Sequence, residues 1–134
     1  MKVTNIEELQ EIARRVRVGI IESTYSAKSG HPGGSLSVAD ILTVLFFNQM
    51  NIDEKNPKAK ERDRLVLSKG HVAPALYSAL AEKGFFDKAE LKKLRHLDGM
   101  LQGHPDMKRT PGVDMSTGSL RTRVICSKWN GNGF

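Results

Sequence analysis

The chain has 134 residues, 21 Lys plus Arg against 15 Asp plus Glu, and a formal net charge of +6. That length suits one modest domain around one core, and 39% hydrophobic with 27% charged residues is the balance of a globular chain rather than a disordered one. Its one cysteine, Cys126, excludes a disulfide framework and points to a reducing compartment.

Membrane and nucleic-acid roles are not expected either. The longest apolar stretch, Ile41 to Phe47, is broken by Thr43 and is too short to span a bilayer. Glu7, Glu8 and Glu11 interrupt any signal-peptide pattern at the N-terminus. Half of the excess charge lies in residues 121–134, where Arg121, Arg123 and Lys128 face no acid, leaving 18 basic against 15 acidic side chains in the other 120 residues. The densest basic run, Lys88 to Arg95, contains Glu90 and falls on a predicted helix face. Such a distribution is an ordinary solvated surface, without the aromatic-interleaved basic stripe of a nucleic-acid binder.

Thr4-x-x-Glu7 has capping-box spacing and predicts a helix from about residue 5. Ile6, Leu9, Ile12, Ala13, Val16 and Ile20 continue it at helical intervals to about Ala27, where the run Ser29 to Gly34 stops it. Ser37 as cap and Asp40 in the first turn predict a second helix through Phe47, apolar nearly all round and therefore deeply buried. Residues 51–62 read as a surface loop. Arg64 to Ser68 is the best strand, short, apolar and ended by Gly70. A third helix spans about Ala73 to Lys83 and stops at Gly84; Asp87-x-x-Glu90 caps a short fourth to about Leu97. From Asp98 to Ser119 the chain is rich in Gly, Pro, Asp, Thr and Ser, and an irregular segment of that length in a small domain is usually functional or disordered. The fold class is a helix-rich α/β pattern with few strands. One strand cannot make a sheet, so the segment reads as the opening of a parallel-sheet domain.

Three of the four histidines lie in glycine-containing loops between elements: His31 after the first helix, His71 after the strand, His104 in the long loop. Loops that leave a strand for a helix are where α/β folds place ligands, glycines there allow close backbone approach, and helix N-termini offer N–H groups to phosphate. Imidazole can donate or accept a hydrogen bond or carry a proton near neutral pH. Taken singly, each Gly-His-Pro is also an ordinary turn with a solvent-facing histidine. His96 reads as a surface residue, Cys126 has no activating partner, and no CxxC, HExxH or paired-carboxylate pattern marks a metal site.

In order, however, Ser29-Gly30-His31-Pro32-Gly33-Gly34-Ser35-Leu36, Asp63-Arg64-Leu65-Val66-Leu67-Ser68-Lys69-Gly70-His71, Gly103-His104-Pro105-Asp106 and Ser116-Thr117-Gly118-Ser119-Leu120 together resemble the N-terminal part of transketolase. The Ser-Lys-Gly-His form looks most like the split enzyme, whose N-terminal half is a separate subunit. The likeness covers about residues 5–120, and deoxyxylulose-phosphate synthases, which share only the first motif, are a distant second. The resemblance implies thiamin diphosphate and magnesium as cofactors, and transfer of a two-carbon glycolaldehyde unit from a ketose phosphate to an aldose phosphate. It also implies a place in the pentose phosphate pathway, a cytoplasmic location, and partnership with a C-terminal transketolase half and a second N-terminal chain. By motif, His31 and His104 would contact the donor sugar and the transferred unit. His71 would lie near the cofactor diphosphate, and Gly118, Ser119 and Leu120 would form the loop against the cofactor.

After Leu120 the family pattern continues with Gly-Gln-Gly and a small-residue helix, whereas residues 121–134 show no cap, no helical period and no acid. One permitted coding string for them, read one base later, gives Gly-Gln-Gly-Leu-Ser-Val-Ala-Asn-Gly-Met-Ala-Met-Ala. Residues 1–120 are therefore expected to be the family segment and 121–134 a frameshifted, unrelated tail. On that expectation the family's magnesium motif is absent from the chain, which would then be inactive alone and at most an interaction partner of other transketolase chains.

Overall fold

The computed structural model describes residues 2–118. Ser119, Leu120 and the expected tail, 121–134, lie outside the described residues.

Helix α1, Ile6–Ala27, begins one residue later than the capping-box spacing predicts. Asn5, not Thr4, is the cap, and its side-chain oxygen accepts from the Glu7 N–H at 2.8 Å and the Glu8 N–H at 3.3 Å. A short amide competes well for these unpaired first-turn donors, and Glu7 and Glu8 complement the positive end of the helix. Ile12, Val16 and Ile20 form the buried stripe. The helix ends at Lys28, which takes a left-handed conformation with φ 49°.

The second predicted helix is redrawn. Pro32–Ser37 forms a short helix, α2, inside the glycine-rich stretch expected to be a turn, because proline is pre-shaped for a first helical position. Ser37 is therefore not a cap; its hydroxyl donates back to the Gly34 carbonyl at 2.8 Å. Helix α3, Ala39–Val44, follows and runs into a π-helical turn, Leu45–Gln49. This unit is not buried all round. Leu42, Phe46 and Phe47 face the core, but Ile41 is 60% and Val44 40% exposed, since α3 packs on one side only, against α1 and α4.

Arg64 to Ser68 does not form a strand, and no β-strand occurs among the described residues. A strand exists only by pairing, and this segment instead gives its Leu65 N–H to Asp114 Oδ2 at 2.7 Å while burying Leu65 and Leu67. The other Asp114 oxygen pairs with Arg62.

Helix α4, Ala73–Lys83, enters through a 3-10 turn, Gly70–Val72, and ends at Gly84 with φ 99°, as its glycine predicts. It is the central element, buried from Ala75 to Ala81 and packed by α1, α2 and α3. Against α1 the approach is close: a Cβ added at Gly19 would stand 2.2 Å from Ser78 Oγ. The Ser78 hydroxyl donates to the Val16 carbonyl across this seam at 2.8 Å, and Glu82 reaches both Arg15 (3.2 Å) and Lys88 (2.6 Å) at its edge. The fourth expected helix is only a 3-10 segment, Lys88–Lys93, capped by Asp87, whose carboxylate accepts the Ala89 N–H at 2.8 Å. Leu94 is extended and Arg95 left-handed (φ 64°), so no helix reaches Leu97. Residues 98–118 are irregular, as expected.

Candidate functional site

Three loops, each positioned by α4 or its neighbours, carry the three histidines. The first leaves α1 through Lys28 and turns at Gly30, whose φ of 108° is a conformation that L side chains rarely adopt; His31 then stands as the residue before α2. The second is the 3-10 turn that puts His71 just ahead of α4. At Gly70 a Cβ would meet the Thr117 carbonyl oxygen at 3.0 Å and Gly118 Cα at 3.2 Å, so only glycine lets this turn lie against residues 117–118. The third loop, Gln102 to Pro105, is held from beneath. The Tyr77 hydroxyl, on buried α4, points to the carbonyls of Gln102 (2.7 Å) and His104 (3.1 Å) as a shared donor. The Thr117 N–H donates to the Pro105 carbonyl at 3.2 Å. Burial, reinforced by the Asp106 carboxylate, pushes the Tyr77 phenol well above the usual tyrosine range despite a bond with Thr110 that acts the other way, so it remains a donor at ordinary pH.

The loops close on a cleft of about 420 Å3 lined by His31, His71 and His104 together with Thr24, Ser29, Pro74, Leu94, Arg95 and the glycines at 30 and 103. The His71 and His104 rings meet edge to face, centroids 5.1 Å apart. All three histidines are exposed at the cleft mouth rather than sealed in the core. Among the described residues no carboxylate lines this cleft, and Arg95 is the one permanent cation. The arrangement offers three imidazoles that can donate or accept at sugar hydroxyls and one guanidinium suited to a phosphate.

Of the residues expected at the site, His31, His71 and His104 are brought together, and Gly118 lies beside His104, with an added Cβ 4.0 Å from His104 Cγ. Ser119 and Leu120 lie outside the described residues. His96 is exposed and does not line the cleft. Sequence reasoning missed Arg95, which it left on a helix face. The left-handed backbone at Arg95 turns it into the cleft, where its Nη1 donates to Ser29 Oγ and its guanidinium packs on Gly103, whose Cβ would come within 2.8 Å of Arg95 Nε. Nothing in the local sequence announces that conformation. Tyr77 was missed as well; a tyrosine within an otherwise small and apolar helix is the sequence signal, since its hydroxyl needs a partner when buried.

Among the described residues no group of three or more His, Cys, Asp or Glu is placed to hold a metal ion. No described helix is long and apolar enough to cross a membrane.

Comparison with known proteins gives the site its context. The family described as transketolase, thiamine diphosphate binding domain, matches residues 8–128, so the match runs beyond Leu120 into the expected tail. A 6-deoxy-6-sulfo-D-fructose transketolase subunit of a Clostridium species (strain MSTE9) is 50% identical over 113 residues, covering 84% of this chain and 41% of that subunit. Human transketolase is 44% identical over 115 residues, 86% of this chain and 18% of its own length. Among solved structures, transketolase from Campylobacter jejuni superposes with a TM-score of 0.76 at 40% identity, covering 86% of this chain and 18% of that one. Transketolase from Leishmania mexicana gives 0.79 at 29% identity, over 88% and 17%. The chain thus spans less than half the length of each of these relatives. With the family match taking in all four histidine and glycine motifs, the chain belongs to the transketolase family through its thiamine diphosphate binding domain.

Proposed function

We propose that this chain supplies the diphosphate-side wall of a ketol-transfer centre, where a two-carbon glycolaldehyde unit passes from a ketose phosphate to an aldose phosphate. The observation that carries this reading is the convergence of His31, His71 and His104, from three loops far apart in sequence, on one cleft with Arg95. Thiamin diphosphate, when bound, supplies the nucleophilic carbon and electron sink that the sugars lack. The residues present fit such a group. Gly70 lets the His71 turn lie directly against residues 117–118, and Thr117 Oγ1 there is buried without a hydrogen-bond partner among the described residues. His71 and residues 117–118 would hold the diphosphate, with Gly118, Ser119 and Leu120 continuing the same wall. His31 and His104 then bind and orient the sugar hydroxyls, and they can hold or return a proton at the oxygen whose charge changes. Arg95 offers its fork to a sugar phosphate. For magnesium the described residues do not fit, since no three of their His, Cys, Asp or Glu side chains come together to hold an ion.

A C-terminal transketolase half and a second copy of this segment would complete the centre, in an α/β assembly located in the cytoplasm. One sequence observation favours a second reading, an inactive chain that at most binds other transketolase chains. Residues 121–134 carry three cations, no acid and none of the glycine-rich continuation expected after Leu120. A single reconstitution separates the two readings. The purified chain is mixed with a C-terminal transketolase half, thiamin diphosphate and magnesium. Ketol transfer above the background without the chain is expected, falling by about a hundredfold or more in His104→Ala if that imidazole handles a proton. No transfer from a folded chain that binds its partner overturns the catalytic reading. Sequencing the gene across codon 121 tests the frameshift: a shifted frame closing before codon 134 would remove it.

A further inference from the structure

Segments 57–64 and 107–114 border a second cleft, of about 570 Å3, that shares no lining residue with the histidine cleft. Its walls carry Lys58, Arg62, Arg64, Lys108 and Arg109, and Asp114 is the one acid among the described lining residues. Asp114 is already committed on both oxygens, to Arg62 and to the Leu65 N–H. The neighbouring carboxylates are committed too: Asp63 accepts the Asn51 N–H at 2.8 Å, and Asp106 accepts the Lys108 N–H at 2.9 Å. Asp106 meets Arg109 only at 4.0 Å, and Lys58, Arg64 and Lys108 have no ion-pair partner among the described residues. Arg62 Nε is buried and has no acceptor, a state that native structures rarely tolerate without a reason.

Like charges gathered in a concave surface raise its potential and attract counter-anions. The opening has the size of a small-ligand site, and its cations come from two segments, Lys58, Arg62 and Arg64 from one and Lys108 and Arg109 from the other, so an anion with several charged oxygens spaced along it can meet more of them at once than chloride can. We infer that this cleft binds a small di- or triphosphate group, with Arg64 and Lys108 as its principal ligands and Arg62 holding the wall through Asp114.

The test is an amide NMR titration of the full chain with sodium tripolyphosphate, against sodium chloride at matched ionic strength. Saturating shifts are expected at the amides of Lys108, Gly112 and Val113 with tripolyphosphate and not with chloride. Arg64→Gln combined with Lys108→Gln should weaken the affinity about tenfold, the combined effect of two exposed charge contacts. Should that double variant fail to fold, Lys108→Gln alone must weaken binding, while the charge-keeping Arg64→Lys must hold it within about threefold. Equal shifts with chloride, shifts confined to residues 29–31, 71 and 103–104, or an affinity indifferent to Lys108 would each overturn the inference.

Discussion

Tyr77→Phe isolates one hydroxyl beneath the site. The ring is fully buried in α4, and phenylalanine fills the same space, so no cavity forms and the packing contribution drops out. What is removed is the single O–H shared by the Gln102 and His104 carbonyls at 2.7 and 3.1 Å. Losing such a bond, with two acceptors left short of a donor, costs about 1–2 kcal/mol, roughly a five- to thirtyfold change in the folded-to-unfolded ratio. Urea unfolding at neutral pH reads that loss. The same residue gives an alkaline signature. Its folded-state value lies above the unfolded one, near 10, so its contribution is complete below about pH 10 and is lost as the pH rises beyond that. The wild-type chain should therefore lose stability above pH 10 more steeply than the phenylalanine variant. The site should respond as well: with the 102–105 loop released, the edge contact between His71 and His104, seen as ring-proton shifts, should weaken. A variant with unchanged midpoint, unchanged alkaline slope and unchanged histidine resonances would refute the claim that this hydroxyl holds the loop.

Two further substitutions test the scaffold. Gly19→Ala should destabilise the chain by about 2 kcal/mol in urea unfolding, because overpacking against Ser78 Oγ, 2.2 Å from the new Cβ, outweighs the roughly 1 kcal/mol that alanine gains in a helix. Adding Ser78→Ala should recover part of the loss, whereas a stabilised single variant would mean that the α1–α4 seam is looser than described. Asp114→Ala strands the Arg62 guanidinium and the Leu65 N–H. It should cost about 3–5 kcal/mol and speed hydrogen exchange at Leu65; an unchanged Leu65 exchange rate would contradict the bond.

The parts of the fold legible from sequence were those whose stabilisation is local. Ile12, Val16 and Ile20 at helical spacing and Gly84 as a stop give α1 and α4 nearly to the residue. Capping-box spacing points to Thr4, yet Asn5 caps α1, because adjacent residues of capping type differ only in the backbone geometry each adopts. Pro32-Gly33-Gly34 looked like a turn because glycine is a poor helix former, yet a proline at the first position was enough for one short helix. Arg64 to Ser68 had strand composition, but composition cannot supply a partner, and the acceptor that ties down its backbone, Asp114, lies 49 residues from Leu65 in an irregular segment. The histidines were visible through ordered motifs. Arg95 was not, since its place depends on a backbone angle set by the bond from its N–H to the Leu101 carbonyl at 2.9 Å.

That bond and the two side-chain contacts of Arg95 make one residue a strut between two loops. Its backbone fastens it to residue 101, its guanidinium rests on Gly103, and Nη1 grips Ser29 two residues before His31. The loop bearing His31 and the loop bearing His104 therefore share a tie through one side chain. Replacing Arg95 by alanine would therefore release both loops in one step, where a substitution at Ser29 would loosen only the first.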